Sequence, residues 1–129
     1  MSIYIEKSSE EPILFHVIQG HIDTGEIRQA YEQDAALCKN DPGPIFRISD
    51  SRSWEPDFSQ MMLVVAEMAR EMQVRNAFES KVVNISVTND DVVRLGMDSM
   101  SQQQYGGNEI ITFTDMDAAL AYVRDQLAF

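Results

Sequence analysis

The sequence predicts an α/β protein whose sheet is mostly parallel. Short runs rich in β-branched residues alternate with longer stretches whose apolar residues recur at the spacing of an amphipathic helix. Turn-forming residues separate these segments, and each helical stretch begins beside an aspartate. The resulting order is β-β-α-β-α-β-α-β-α, with no internal repeat and no long linker. We therefore expect a single domain over residues 1–129, with an N-terminal hairpin followed by consecutive β-α units.

The first two strands are predicted to form an antiparallel hairpin. Residues 4–7 have the pattern of a short strand, and residues 8–12 are polar and end in proline, as turns often do. Residues 13–18 are apolar at both alternating sets of positions, which favours a strand that is covered on both faces. The outer strand is an edge of the sheet, and Glu6 and Lys7 are its only charged residues that oppose pairing with another chain. We therefore also expect a homodimer along this edge.

The first helix has a recognisable start and stop. Asp23 and Glu26 stand three residues apart, which is the spacing of a capping box at a helix N-terminus. Ile27 and Tyr31 then begin an apolar stripe at helical spacing. The helix is predicted to run to about Lys39, before a loop rich in proline and glycine.

The middle of the chain is predicted to hold a strand, a polar loop and a second helix. Residues 45–48 form the strand, and residues 49–53 a loop at its carboxyl end, where α/β proteins commonly place sites. Asp57 is expected to cap the second helix, which ends near Gln73. Residues 76–80 are expected to form a loop.

The last third of the chain repeats the β-α pattern twice. Residues 81–87 form a β-branched strand, and the acidic cluster at residues 88–91 suits the N-terminus of a third helix. That helix is expected to fray after about Met100. Residues 110–113 form the last strand, and Asp115 is expected to cap the final helix.

Composition excludes several classes of function. The chain has 10 basic and 21 acidic side chains, a net charge of −11, which disfavours binding to nucleic acid or to an anionic membrane. Cys38 is the only cysteine, so neither an intramolecular disulfide nor a cysteine-based zinc site can form. No apolar run approaches the roughly 18 residues of a membrane helix, and no secretory signal opens the chain. We expect a cytoplasmic protein without integral membrane association, metal or cofactor.

The order of elements resembles that of the STAS domain, the anti-sigma-factor antagonist fold, and is most similar to the SpoIIAA-like proteins. Three local features support the resemblance: the hairpin ending in residues 19–21, the strand at residues 45–48 with Asp50 after it, and the terminal unit at residues 110–120. The resemblance implies a mixed sheet, mostly parallel with an N-terminal antiparallel hairpin. It also implies a non-enzymatic, regulatory domain that binds a protein partner.

The resemblance extends in part to a phosphorylation motif. In antagonist members, an Asp-Ser-Ser-Gly motif opens the second helix, and a partner kinase phosphorylates its second serine. Asp57 and Ser59 match this motif, whereas Phe58 and Gln60 do not. The match implies Ser59 as a candidate phosphorylation site, where a phosphate would meet free backbone N–H groups. The alternative is that Ser59 is an ordinary surface residue of the helix.

The segment from Asp50 to Trp54 is the strongest candidate for a binding surface. It combines an acid, hydroxyl groups, an arginine and the only tryptophan, as interaction surfaces often do. The alternative is an Asx-turn at Asp50 with Trp54 folded over the edge of the sheet. The predicted partner-binding residues are Asp50, Ser51, Arg52, Ser53, Trp54, Asp57 and Met62.

Catalysis finds no support in the sequence. His16 lies in a strand that is apolar on both faces, which predicts a buried, hydrogen-bonded histidine and not a ligand. Cys38 lies on a buried helical stripe, and no Gly-x-Ser-x-Gly nucleophile motif is present. We therefore expect a protein that is not an enzyme.

The methionines suggest an alternative function. Six of them lie in the second and third helices, and flexible thioether side chains adapt to apolar ligands and partner helices. Most are at core spacing, but Met62 and Leu63 lie outside the main apolar stripe. The alternative is a carrier of a small apolar ligand or lipid, with a pocket between the sheet and these helices.

Overall fold

A computed structural model describes residues 2–128 of the chain. The strands are β1 (Ile3–Lys7), β2 (Ile13–Gln19), β3 (Ile45–Ser53), β4 (Val82–Val87) and β5 (Ile110–Phe113). The helices are α1 (Thr24–Leu37), α2 (Phe58–Val74), α3 (Asn76–Glu79), α4 (Asp91–Ser99) and α5 (Met116–Leu127), with a 3₁₀ turn at Gln103–Tyr105. Apart from α3 and the 3₁₀ turn, this is the predicted order.

The five strands form one sheet in the order β1-β2-β3-β4-β5. β1 is antiparallel to β2 and the other neighbours are parallel, which confirms the predicted α/β fold with its N-terminal hairpin. Right-handed crossovers between strands added in sequence place their helices on one face. Accordingly α1, α2 and α4 cover one face, whereas α5 packs on the other.

The four helices of nine or more residues each begin at an aspartate. In each case the carboxylate accepts a hydrogen bond from an N–H of the first turn, which satisfies a donor that the helix leaves unpaired. The capping box between Asp23 and Glu26 is present. The four caps are Asp23, Asp57, Asp90 and Asp115; three of them were predicted by residue, and Asp90 lies in the predicted cluster at residues 88–91.

The structure corrects two predicted boundaries. Residues 49–53, predicted as a loop, continue β3 to Ser53, because β2 and β4 both pair with this segment. Residues 76–79, predicted as part of a loop, form the short helix α3. Glu79 at its end is held by Arg47 of β3, a contact that the local sequence cannot reveal.

Apolar residues fill both sides of the sheet. The larger core lies under α1, α2 and α4, a group that we term the three-helix layer. The smaller core lies between the sheet and α5. The side chains buried in the larger core include Ile27, Tyr31, Trp54, Met61, Val65, Val93, Met97 and Met100.

Gly96 allows α4 to approach α2 closely. A Cβ at this position would lie 2.6 Å from Met61 Cγ, well inside van der Waals contact. We expect Gly96→Ala to lower the free energy of unfolding by about 1–3 kcal/mol, because overpacking outweighs the better helix propensity of alanine. Urea unfolding would measure this change.

The control for this prediction removes the clashing side chain. In a Met61→Ala background, Gly96→Ala should instead raise the free energy of unfolding, by up to about 1 kcal/mol. An unchanged cost of Gly96→Ala in that background would show that Met61 is not the obstacle.

No helix within residues 2–128 combines the length and the apolar character needed to cross a lipid bilayer.

Candidate functional site

A row of polar side chains crosses the sheet on the face covered by the three-helix layer. His16, Ser49, Ser86 and Thr112 occupy paired positions on β2, β3, β4 and β5. Alternation along each strand therefore directs all four toward the same face. A row of this kind is unusual beneath helices, where apolar side chains normally fill the space.

His16 belongs to a buried network of charged residues. Its Nε2 lies 2.8 Å from Asp34 Oδ1 of α1, and Asp34 Oδ2 accepts a hydrogen bond of 2.8 Å from Arg47 Nε. Asp34 is fully buried, and His16 and Arg47 are almost so. The prediction that His16 is a buried, hydrogen-bonded histidine is confirmed.

Arg47 is the centre of this network. Its guanidinium donates two hydrogen bonds to Glu79, of 2.8 and 2.7 Å, and one of 2.9 Å to Asn84 Oδ1. It also lies 4.4 Å from the centre of the Tyr31 ring. Burial opposes the charge of Arg47, but the hydrogen bonds to Glu79 and the surrounding negative groups keep its pKa above the ordinary value. Arg47 therefore stays charged and ties α1, α3 and the sheet together.

Tyr31 supplies a prediction about alkaline pH. Burial raises the pKa of Tyr31 far above its ordinary value; the positive charge of Arg47 opposes this shift, and the nearby Glu79 adds to it. The folded protein therefore keeps the phenol proton when the unfolded chain loses it, above about pH 10. We expect stability to be unaffected by this group below that pH and to fall as the pH rises beyond it.

The measurement is urea unfolding between neutral pH and pH 11. Tyr31→Phe should flatten the alkaline loss of stability, whereas Tyr4→Phe at an exposed position should leave it as in the unmodified protein. An equally steep loss in Tyr31→Phe would contradict the assignment to Tyr31.

A cavity of about 50 Å³ lies between the sheet and the three-helix layer. Its polar wall comes from the sheet and includes His16, Arg47, Ser49 and Ser86. Its apolar wall comes mainly from the helices and from neighbouring isoleucines. The residues of that apolar wall include Ile3, Ile18, Ile22, Ile27, Ala30, Val64, Met68 and Met97.

Two residues in the walls of this cavity each have a buried polar atom without a hydrogen-bond partner among the protein groups of residues 2–128. These atoms are Nε1 of Trp54 and Oγ of Ser86. Both residues are 1% exposed, so bulk water does not satisfy them. Buried polar groups in proteins are normally paired with protein groups or with ordered water, and a cavity of this size has room for such a water.

The structure divides the predicted binding segment between the interior and the surface. Because residues 50–53 belong to β3, their side chains alternate between the two faces of the sheet. Ser51 and Trp54 are buried, which corrects their placement on a partner-binding surface. Of the two alternatives for Trp54, the structure therefore has the folded-in side chain.

Asp50 and Arg52 lie at the carboxyl end of β3 and form a pair. Arg52 donates from Nε and Nη2 to the two carboxylate oxygens of Asp50, at 2.9 and 2.8 Å. These hydrogen bonds hold the pKa of Asp50 below its usual value. Asp115 and Asp117 at the start of α5 are close enough to help raise the pKa of Arg52. The pair therefore lies at the carboxyl end of the sheet, on the face that α5 covers.

The start of α2 is exposed at the same carboxyl end of the sheet. Asp57, Phe58 and Ser59 are all exposed, and Met62 is half-buried. Asp57 caps the helix by accepting from Gln60 N at 2.7 Å. Ser59 is therefore accessible, although its modification stays a prediction.

Sequence reasoning missed the charged network and most of the polar row. A signal was present, because Arg47, Ser49 and Ser51 alternate with Phe46 and Ile48 along β3. Such alternation predicts a strand with one polar face. It does not reveal that helices cover that face.

Within residues 2–128, the side chains of the polar row do not form a hydrogen-bonded nucleophile and base. Ser49 neighbours His16 across β2 and β3, but no hydrogen bond joins their side chains among those of residues 2–128. Nucleophilic catalysis needs that contact, as well as access for a substrate. Within the same residues, no three His, Cys, Asp or Glu side chains are grouped to hold a metal ion.

Comparisons with protein-family models and with curated proteins find no match to this chain.

Proposed function

We propose that this protein is a non-enzymatic interaction domain of the STAS type, which binds a protein partner through the start of α2 and the adjoining carboxyl end of β3. The observation that supports it best is the exposure of Phe58 and Leu63, at 56% and 64%, in the first two turns of α2. Large apolar side chains exposed among polar groups are typical of protein contact sites. The proposed contact surface consists of Asp50, Arg52, Ser53, Asp57, Phe58, Ser59, Met62 and Leu63.

The sheet supports the STAS part of this proposal. The resemblance implies a mostly parallel sheet with an antiparallel hairpin at its N-terminal edge, and the strand order agrees. The same strand order occurs wherever right-handed β-α units follow each other, so it supports the fold more than the function. The regulatory role and a cytoplasmic location remain part of the proposal.

Charge defines the partner that fits this surface. The net charge is −11, and Asp57, Asp90 and Asp115 cap helices that all begin at the carboxyl edge of the sheet. A partner with basic residues around an apolar contact would complement this edge. Association should therefore slow as the salt concentration rises.

The proposal predicts separate effects for apolar and polar replacements. In quantitative pull-downs from cells that make the protein, Phe58→Ser and Leu63→Ser should each reduce recovery of the partner at least about fivefold. Ser59→Asp should also reduce it if phosphorylation at this position controls binding. Mass spectrometry of the protein isolated from those cells would show whether Ser59 carries a phosphate.

Val74→Ser is the matched control. Val74 is an apolar residue at the other end of α2 and is 66% exposed. Its replacement should leave partner recovery unchanged. Equal recovery with Leu63→Ser, Phe58→Ser and Val74→Ser would refute the proposed contact surface.

A carrier for a small apolar ligand or lipid is the alternative function, and the cavity beneath the three-helix layer is the observation that favours it. Met68 and Met97 line it, between the sheet and the methionine-bearing helices. Its volume of about 50 Å³ is small, however, since a cavity of about 150 Å³ is needed to hold benzene. An acyl chain would require the three-helix layer to separate from the sheet.

A further inference from the structure

We propose that two copies of this protein form a symmetric dimer in which their β1 strands pair antiparallel, with Ile5 of both protomers at the two-fold axis. β1 is an outer strand of the sheet, and within residues 2–128 only β2 pairs with it. Proteins normally cover an open sheet edge or block it with charged side chains. This proposal goes beyond the contact surface at α2 and does not depend on it.

Alternation along β1 determines which of its backbone groups face outward. Gln19 N donates a hydrogen bond to Ser2 O, so the even-numbered residues of this segment exchange hydrogen bonds with β2. The N–H and C=O groups of Ile3, Ile5 and Lys7 therefore point away from the sheet. Outside the ladder between β1 and β2, no backbone hydrogen bond within residues 2–128 involves these groups.

Only one antiparallel register satisfies all of the outward groups. A two-fold axis at Ile5 places the two Ile5 residues opposite each other and Ile3 opposite the partner's Lys7, and each of these pairs exchanges both hydrogen bonds. An axis at Glu6 or Lys7 would place like charges opposite each other. An axis at Ile3 or Tyr4 would place Lys7 beyond the end of the partner's β1. The pattern of outward groups and charges therefore selects Ile5.

The side chains complement each other in this register. Tyr4 is 49% exposed and lies opposite the partner's Glu6, so its hydroxyl can donate a hydrogen bond to that carboxylate. The partner's Lys7 lies beside Ile3, which lines a groove together with Glu26 of α1. A lysine on an edge strand usually opposes pairing, but this one meets an acidic side chain across the dimer.

The side of α1 that borders β1 carries little charge, although the whole chain has a net charge of −11. Besides Glu26, the α1 residues that line the groove beside β1 are Gln29, Ala30 and Gln33. Because the two-fold axis is perpendicular to the sheet, the α1 helices of the two protomers lie on the same face. Amide side chains there can hydrogen-bond to each other without charge repulsion.

Analytical ultracentrifugation of the unmodified protein measures the dimer directly. The mean mass should double as the protein concentration rises, with a dissociation constant of roughly micromolar for a small interface. A chain that stays monomeric up to about 1 mM would refute the proposal. Growth into larger oligomers would refute it as well, because a closed two-fold contact stops at two copies.

Disulfide trapping tests the register. Tyr4 and the partner's Glu6 form a pair without mutual backbone hydrogen bonds, whose Cα atoms lie about 4.5 Å apart, within the span of a disulfide. Oxidation of a mixture of Tyr4→Cys and Glu6→Cys chains should therefore link at least about fivefold more protein than oxidation of either variant alone, where the cysteines are about 7–8 Å apart. Equal linkage in the mixture and in the single variants would refute this register. Cys38 is buried, and the unmodified protein should form no disulfide dimer.

A charge reversal tests the contact between Lys7 and Glu26. Lys7→Glu should weaken the dimer at least about tenfold, because it places two carboxylates together in both halves of the interface. Arg94→Glu makes the same change in net charge at an exposed position of α4 and should alter the dissociation constant by less than about twofold. Equal effects of the two variants would contradict the proposed pairing. Leu63→Ser should leave the dimer intact, which separates this proposal from the proposed contact surface.

Discussion

Replacement of Arg47 by methionine is expected to lower the free energy of unfolding by about 3–5 kcal/mol. Arg47 is the cation that neutralises Asp34 and Glu79, and all three side chains are at most 8% exposed. Methionine keeps much of the aliphatic stem but removes the guanidinium, so that Asp34 keeps only its contact with His16 and Glu79 loses both hydrogen bonds from Arg47. Chemical unfolding followed by circular dichroism would measure the loss.

Two controls separate charge from packing. Arg124→Met removes an exposed arginine that pairs with Glu11 at 3.3 Å, and it should hardly change stability because water screens that pair. Adding Asp34→Asn and Glu79→Gln to Arg47→Met should restore part of the loss, since no uncompensated charge then remains buried. A cost for Arg47→Met as small as that of Arg124→Met would rule out a buried charged network.

Trp54→Ala is expected to lower the free energy of unfolding by about 3–5 kcal/mol. Trp54 is 1% exposed and packs in the core beneath the three-helix layer, so its loss enlarges the adjacent cavity. Because it is the only tryptophan, circular dichroism and not fluorescence should follow unfolding. Partner binding lost in Trp54→Ala would therefore report a damaged fold and not a lost contact.

Trp54→Phe is the informative comparison. Phenylalanine keeps most of the apolar volume and removes an N–H that has no partner among the protein groups of residues 2–128. Its cost should be less than half that of Trp54→Ala, since removal of an unsatisfied donor recovers free energy. If the two variants cost the same, the indole N–H is paired in solution.

Most of the predicted fold followed from local signals. The caps at Asp57 and Asp115 involve residues three positions apart, so the amino-acid order specifies them directly. The strands at residues 82–87 and 110–113 are short β-branched runs with clear ends. Their parallel pairing follows because a helix separates each strand from the next.

The candidate site was predicted only in part. Asp50, Arg52 and Ser59 were selected from the sequence and reach the surface, but Ser51 and Trp54 do not. Their burial depends on how far β3 continues, and that depends on pairing with β2 and β4. Pairing between distant segments leaves little trace in the local sequence.

The sequence by itself determined the number and order of the β-α units, the helix starts and the strongly acidic charge, because neighbouring residues and composition fix these properties. Only the tertiary structure brought Arg47 together with Asp34, 13 positions away, and with Glu79, 32 positions away. It alone placed Trp54 and Ser86 in the walls of one cavity. The physical reason is that burial and charge pairing depend on which faces meet in space, and that is settled when the helices pack on the sheet.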